Sequence, residues 1–203
     1  MSKLDLPKQN NYEIAYKRAA EMLRSSDLGE IKHRCGVDTK EGYILVEYFG
    51  ADYRIRLPKV EFESEKLSMA EKILILHYLT TTGTYEPEGV YLAFKGLPGA
   101  AFYNPTYRKR GPNIIRDVFG NNPERLEKVL EEPCVKKGDT GDVSLRIQVF
   151  PKIEALVIMY RGDDEFPPEC QILYNDEIIN LLPLGDVAVL AGRIAKFLMT
   201  RVG

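Results

Sequence analysis

Val143-Ser144-Leu145-Arg146-Ile147-Gln148-Val149-Phe150, then Pro151-Lys152-Ile153-Glu154, then Ala155-Leu156-Val157-Ile158-Met159-Tyr160, is the stretch that decides the fold. In its first part apolar Val143, Leu145, Ile147 and Val149 alternate with polar Ser144, Arg146 and Gln148. Successive side chains of a strand point to opposite faces, so this pattern predicts a strand with one dry face and one wet face. From Leu156 to Tyr160 the chain is apolar throughout, the pattern of a central strand covered on both sides. Residues 150–155 then join the two as an antiparallel pair.

Outward from this pair, residues 170–174 read as another short strand, 176–181 as a helical turn, and 184 or 186 to 200 as the last helix. Val187, Leu190, Ala191, Ile194 and Leu198 line that helix's inner face, with Arg193, Lys196 and Arg201 mostly outside. Upstream, residues 12–24 read as a helix capped by Asn11, with Tyr12, Ala15, Ala19, Met22 and Leu23 in one stripe. Residues 31–35 read as a strand, 36–42 as a polar turn, and 43–49 and 53–57 as two strands joined at Gly50. Ser68-Met69-Ala70-Glu71 matches a capping box and opens a helix reaching about residue 79. Four consecutive apolar residues in its middle, Ile73 to Leu76, imply burial on more than one side. A short strand follows at 90–94, and Gly96-Leu97-Pro98-Gly99 breaks the chain. Residues 100–132 read as helix in two or three pieces, the last with Asn122 at its cap and Pro123 in its first turn. Residues 133–141 read as a polar connection.

The fold class is therefore α+β: an antiparallel or mixed sheet covered by helices. It forms one domain over residues 12–203 after a polar tail, 1–11. An internal echo sets Ile44-Leu45-Val46-Glu47-Tyr48-Phe49-Gly50-Ala51-Asp52 against Leu156-Val157-Ile158-Met159-Tyr160-Arg161-Gly162-Asp163-Asp164. A strand–turn–strand–helix unit is thus a candidate duplication over residues 31–95 and 142–203, joined by the helical 100–132. Its two helices would cover one shared sheet in approximate two-fold relation. Chance similarity of local patterns is the alternative.

Composition narrows the function classes. Of 203 residues 44% are apolar and 29% charged, which excludes a disordered chain. Lys and Arg number 28 against 30 Asp and Glu, a net charge of −2, so no general attraction to nucleic acid is expected. The longest apolar run, Ala155 to Tyr160, is far short of the ~18 residues a membrane helix needs. The first eleven residues carry no signal-peptide apolar region, and the expected location is cytoplasmic.

Cys35, Cys134 and Cys170 include no C-x-x-C pair, and an odd number cannot all pair within the chain. Isolated thiols suit a reducing compartment and are usually buried. An iron–sulfur centre would need a ligand from outside the chain. His33 with Cys35 offers half of a zinc site and nothing local completes it. His77 lies inside Ile73-Leu74-Ile75-Leu76-His77 and reads as a core or core-edge residue, while His33 reads as a solvated strand position. No metal site and no catalytic triad is expected from spacing, and no cofactor is named.

Two segments stand out as candidate sites. The first is the acidic loop Asp163, Asp164 and Glu165, with Glu169 four residues beyond. Just past a central strand, these carboxylates could hold a hard cation, act in acid–base chemistry, or dock a partner; a solvated turn is the plain alternative. Phe166-Pro167-Pro168 stiffens this loop. The second is Tyr103-Asn104-Pro105-Thr106-Tyr107-Arg108-Lys109-Arg110. Tyr103 and Tyr107 beside Arg108 and Arg110 could grip an anionic ligand or an acidic partner, or simply form a solvated helix end. No phosphate-loop or dinucleotide fingerprint is present.

Gly162-Asp163-Asp164-Glu165-Phe166-Pro167-Pro168-Glu169, then Ile172-Leu173-Tyr174-Asn175, then Leu181-Leu182-Pro183-Leu184-Gly185-Asp186-Val187-Ala188-Val189-Leu190, resembles the C-terminal signature of a prokaryotic family known as domain of unknown function 3786. Gly96-Leu97-Pro98-Gly99-Ala100-Ala101-Phe102-Tyr103 and Tyr48-Phe49-Gly50-Ala51-Asp52-Tyr53 resemble its middle and N-terminal segments. The resemblance spans about residues 12–198. It implies a setting in anaerobic redox or corrinoid metabolism and supplies no catalytic residue.

The expected function is an accessory or binding protein in that metabolism, acting through a protein partner, such as an iron–sulfur or corrinoid protein, or through a bound small molecule. One rival is an enzyme combining Asp163, Asp164 or Glu169 with cations near Arg108. The other is a homodimeric scaffold joined through the wet face of the 143–149 strand.

Overall fold

Local rules build most of the N-terminal elements in the computed structural model, which describes residues 9–85 and 90–202. Helix α1 (Gln9–Arg24) starts ahead of Asn11, so Asn11 lies within the helix and does not cap it. Ala19, Ala20 and Leu23 are buried, while Met22 is 46% exposed. The expected strand at 31–35 is instead helix α2 (Leu28–Cys35). Asp27, just past the end of α1, is the N-cap of α2 and accepts the Glu30 N–H at 2.9 Å. Gly36 closes the helix at φ 65°. Ile31 and Cys35, both buried, stand four residues apart, which is a helical spacing and not an alternation. His33 is therefore exposed on a helix.

Strand β1 (Asp38–Lys40) forms within the segment expected to be a turn. It pairs with β2 (Tyr43–Tyr48) across Glu41-Gly42, at φ 51° and 81°. β3 (Ala51–Arg56) follows a second tight turn at Phe49-Gly50, at φ 50° and 71°. Phe49 is an uncomfortable residue for that conformation. Tertiary contacts hold it: its ring stacks on Phe197 at 4.8 Å and its N–H donates to the Val149 carbonyl at 3.0 Å. A short β4 (Glu61–Phe62) completes this group. Helix α3 (Met69–Thr80) has the expected capping box, with the Ser68 N–H donating to Glu71 Oε2 at 2.9 Å. Its residues Ile73 to Leu76, Tyr78 and Leu79 are all buried, so it is enclosed on several sides.

Beyond β5 (Tyr91–Ala93), residues 100–132 are helical in pieces: a 3₁₀ turn (Ala101–Tyr103), α4 (Asn104–Arg110), α5 (Pro112–Phe119) and a 3₁₀ stretch (Pro123–Glu131). β6 (Val135–Lys137) arises inside the expected connection. β7 (Val143–Phe150), β8 (Ile153–Tyr160) and β9 (Glu169–Asn175) follow, then α6 (Ile178–Leu181) and α7 (Leu184–Val202).

Pairing is antiparallel and sorts the strands into two sheets, β1-β2-β3-β4 and β5-β9-β8-β7-β6. β8 is the centre of the second sheet, and Ala155 to Met159 are buried on both faces as the apolar run requires. The face of β7 expected to be wet is only partly open to solvent. Ser144 is buried, and Arg146 and Gln148 are half-buried. Arg146 reaches Glu154 at 2.9 Å and lies over the Tyr91 ring, while Gln148 Nε2 donates to the Phe150 carbonyl at 2.6 Å.

The expected single shared sheet is also corrected. The two echoing segments lie in different sheets and have different connections. A two-residue turn joins β2 to β3, whereas residues 161–168 join β8 to β9. The sheets meet at the Phe49–Val149 hydrogen bond, and one buried cluster runs from Ile44 and Ile55 through Ile147 and Val149 to Leu190. α7 lies against α3, α4 and α5, and its expected inner face is buried. No helix among the described residues is long and apolar enough to cross a membrane.

All three cysteines are buried and unpaired with one another. Burial pushes the Cys35 and Cys134 thiols up to about 11 and raises Cys170 as well. Because the folded value lies above the unfolded one, the unfolded chain releases these protons first as pH rises. Stability from this source is therefore intact below about pH 9 and is lost towards pH 11, by on the order of 2 kcal/mol for Cys35. Urea melts across that range should show the decline, and Cys35→Ala should make it shallower by that share while Cys134 and Cys170 keep theirs. An equally steep fall in that variant would rule this cause out.

Candidate functional site

The acidic loop is closed by hydrogen bonds of its own. Asp163 Oδ1 accepts the N–H groups of Glu165 and Phe166 at 2.9 and 2.7 Å, and the Asp163 N–H donates to the Phe166 carbonyl at 2.8 Å. Gly120, just past α5, backs onto Pro168 so closely that a Cβ there would come within 2.8 Å of its ring. Asp163 is thus engaged in building the loop. Asp164 and Glu165 point no charge at a partner among the described residues, and Phe166 is 66% exposed.

The second segment divides. Tyr107 is in the core, not at a ligand surface: it stacks on Phe94 at 4.1 Å and its hydroxyl donates to the Ile172 carbonyl. Helical geometry sends Tyr107 inward and leaves Lys109 and Arg110 outward. Tyr103 is 55% exposed and Phe102 is 95% exposed. Arg108 does meet the acidic segment, with Nη2 at 2.9 and 3.2 Å from the two Glu169 oxygens. The fold brings these two together across 61 residues, as the enzyme reading needs. Each then neutralises the other on a half-exposed surface, which makes the pair a fastening worth about 0–1 kcal/mol. Asp163, Asp164 and Glu165 do not share that contact.

A different group of residues lines a cleft of about 900 Å³. One wall is α1, through Ile14, Ala15, Arg18 and Met22; the other is the chain around α6, through Ile179, Leu181 and Leu182. The end of α3 and residues 80–83 close it. Ile14 and Met22 remain substantially exposed on the rim. The closing segment after α3 is tied to the α6 wall by the Thr81 hydroxyl, which donates to the Asn180 carbonyl at 2.6 Å. Gly83 lies so tightly against Asn180 that a Cβ would come within 2.1 Å of that carbonyl oxygen, so only glycine allows this approach.

His77 faces this cleft, and its Nδ1 lies 2.5 Å from Asp186 Oδ2. The two side chains are 30% and 16% exposed. Asp186 occupies the first turn of α7, where the helix dipole favours a carboxylate. A carboxylate on Nδ1 sets ring orientation and tautomer, and it leaves Nε2 as the group offered to whatever enters. Such an imidazole can accept a hydrogen bond or, once protonated, donate one. Among the described residues no serine, threonine or cysteine side chain hydrogen-bonds to the His77 ring, and no three His, Cys, Asp or Glu side chains converge as a metal-binding set. The arrangement is equipped to bind and to exchange a proton.

Sequence reasoning placed His77 at the core edge and passed over its role. Asp186 is 109 residues away, and no spacing rule links the two. The one trace is a lone titratable ring in an apolar helical run, which suits a satisfied core residue equally well.

Fold and cleft define the class as an α+β chain of two antiparallel sheets under helices, with a helix-walled opening over an oriented imidazole. A family model described as Domain of unknown function (DUF3786) matches residues 27–197, and the chain belongs to that family. The match contains His77, Asp186 and residues 163–169, and it begins beyond α1. No curated protein and no solved structure matches the chain.

Proposed function

We propose that this chain is a binding protein, and that the cleft between α1 and α6 holds a small molecule against His77. The observation that carries the proposal is the His77–Asp186 pair at the margin of an apolar-walled opening of about 900 Å³. Binding sites for small molecules are mostly apolar with a few well-placed polar groups that set orientation. The ligand would lay an apolar body along Ile14, Met22 and Ile179 and present one hydrogen-bonding group to Nε2. Its setting, anaerobic redox or corrinoid-linked metabolism in the cytoplasm, rests on the family resemblance and the composition.

Native mass spectrometry of the chain purified anaerobically from its host tests this reading. A retained small molecule is expected, and His77→Ala should weaken its binding at least tenfold, the loss of about 1.4 kcal/mol. Asp186→Asn should weaken it less, because the ring stays in place while its tautomer preference reverses. A bare chain, or equal retention by His77→Ala, would sink the proposal.

A protein partner is the second reading, and the rigid, exposed Asp164-Glu165-Phe166 tip favours it. A basic partner, for instance an iron–sulfur or corrinoid protein, would be captured by the native chain and lost on Asp164→Lys with Glu165→Lys.

A further inference from the structure

We propose a second site, separate from the cleft, where the β2–β3 hairpin meets α7, and that it takes a small tetrahedral oxyanion of the phosphate type. Tyr48, Tyr53, Glu71, Arg193, Lys196 and Thr200 line an opening of about 140 Å³ there. Glu71 opens α3 whereas His77 lies near its end, so the two sites share no side chain.

Tyr48 supplies the first reason. It is 2% exposed, and its hydroxyl is buried with no hydrogen-bond partner among the described residues. A buried donor left unmade costs free energy, so an unpaired phenol calls for an acceptor. The ring cannot swing to find one elsewhere, because Phe49 and Phe150 hold it at centroid distances of 4.8 and 5.0 Å.

The cations supply the second. Arg193 and Lys196 stand three residues apart on α7 and so share a face. Arg193 pairs with Glu71 at 3.7 Å, too far for a good hydrogen bond, and no side-chain hydrogen bond holds its guanidinium among the described residues. Lys196 is exposed and has no ion pair among the described residues. Arg201 is already committed to Glu132 at 2.7 Å and is left out of the site. A phenol, a guanidinium and an ammonium around so small a volume fit an ion with several acceptor oxygens and little bulk. Glu71 opposes the charge of such an ion. Its Oε2 is partly occupied, accepting from the Ser68 N–H and the Ser68 hydroxyl.

Inorganic phosphate is the probe, with ³¹P line broadening and the melting temperature as readouts and sodium chloride at matched ionic strength as the comparison. Phosphate should broaden and raise the melting temperature saturably, beyond the chloride effect. Lys196→Gln should weaken binding about tenfold and Tyr48→Phe severalfold. Glu71→Gln, which can still serve the capping box, should tighten it. If the phenol is only a packing residue, Tyr48→Phe leaves the phosphate response unchanged. That result, a response equal to chloride, or an undiminished response in the exposed Lys196→Gln variant would overturn the proposal. None of these outcomes bears on His77, so failure here is distinct from failure of the cleft.

Discussion

Phe150→Ala should destabilise the protein by about 3–5 kcal/mol, read as the fall in unfolding free energy on urea denaturation. Phe150 is 1% exposed and sits at the end of β7, next to the turn into β8. Its ring stacks on Tyr78 of α3 at 4.3 Å and tilts against Tyr48 of β2 at 5.0 Å. One side chain therefore fills the space where the two sheets and α3 converge. Removing it leaves a cavity that three different elements would have to close together, and packed interiors relax only in part. Tyr78 would not follow the ring inward, because its hydroxyl is tied to the Cys35 carbonyl at 2.5 Å. Phe150→Leu should cost markedly less. A loss below 1 kcal/mol for the alanine variant would mean that the sheets are not joined through this ring.

Gly111→Ala should lower stability by about 2–3 kcal/mol through overpacking. Gly111 joins α4 to α5, and a Cβ there would meet the Ala191 Cβ at 2.7 Å and the Ala191 carbonyl oxygen at 2.8 Å. The obstacle includes α7 backbone in the middle of the buried cluster, which no side-chain rotation relieves. For a chain of this size the expected fall in melting temperature is roughly 5–10 °C. Gly185→Ala is the control: nothing lies within 4 Å of its added carbon, and a helical glycine replaced by alanine should be neutral or gain up to about 1 kcal/mol. Equal melting temperatures for the Gly111 variant and the native chain would show that α4 and α7 are not clasped this closely.

Where a few adjacent residues suffice to determine an element, it was legible. The capping box at Ser68, the alternation in β7, the apolar run of β8 and the inner face of α7 each depend on neighbours within one or two turns. At residues 31–35 the strand expectation missed that Asp27, just upstream, caps a helix already under way when those residues begin. β1 and β6 are three-residue strands that exist because a longer neighbour offers them a ladder, so no local pattern could announce them.

The sites divide along the same line. The constraint that prolines place on the 162–168 bend could be read from Phe166-Pro167-Pro168; the hydrogen bonds that Asp163 adds to it could not. The inward turn of Tyr107 could not, because it depends on where Phe94 and β9 lie. The neutralisation of Glu169 by Arg108 could not be read either.

By itself the sequence determined an α+β chain with an antiparallel centre, its family, its buried thiols and the capping box of α3. These are consequences of side-chain period, polarity and short-range hydrogen bonding. Only the tertiary structure decided that the strands divide into two sheets, that the polar face of β7 is half covered, and that His77 meets Asp186 at a cleft. Those outcomes depend on contacts between residues tens to more than a hundred positions apart, whose closure is settled by the packing of the whole core and leaves no mark in any local window.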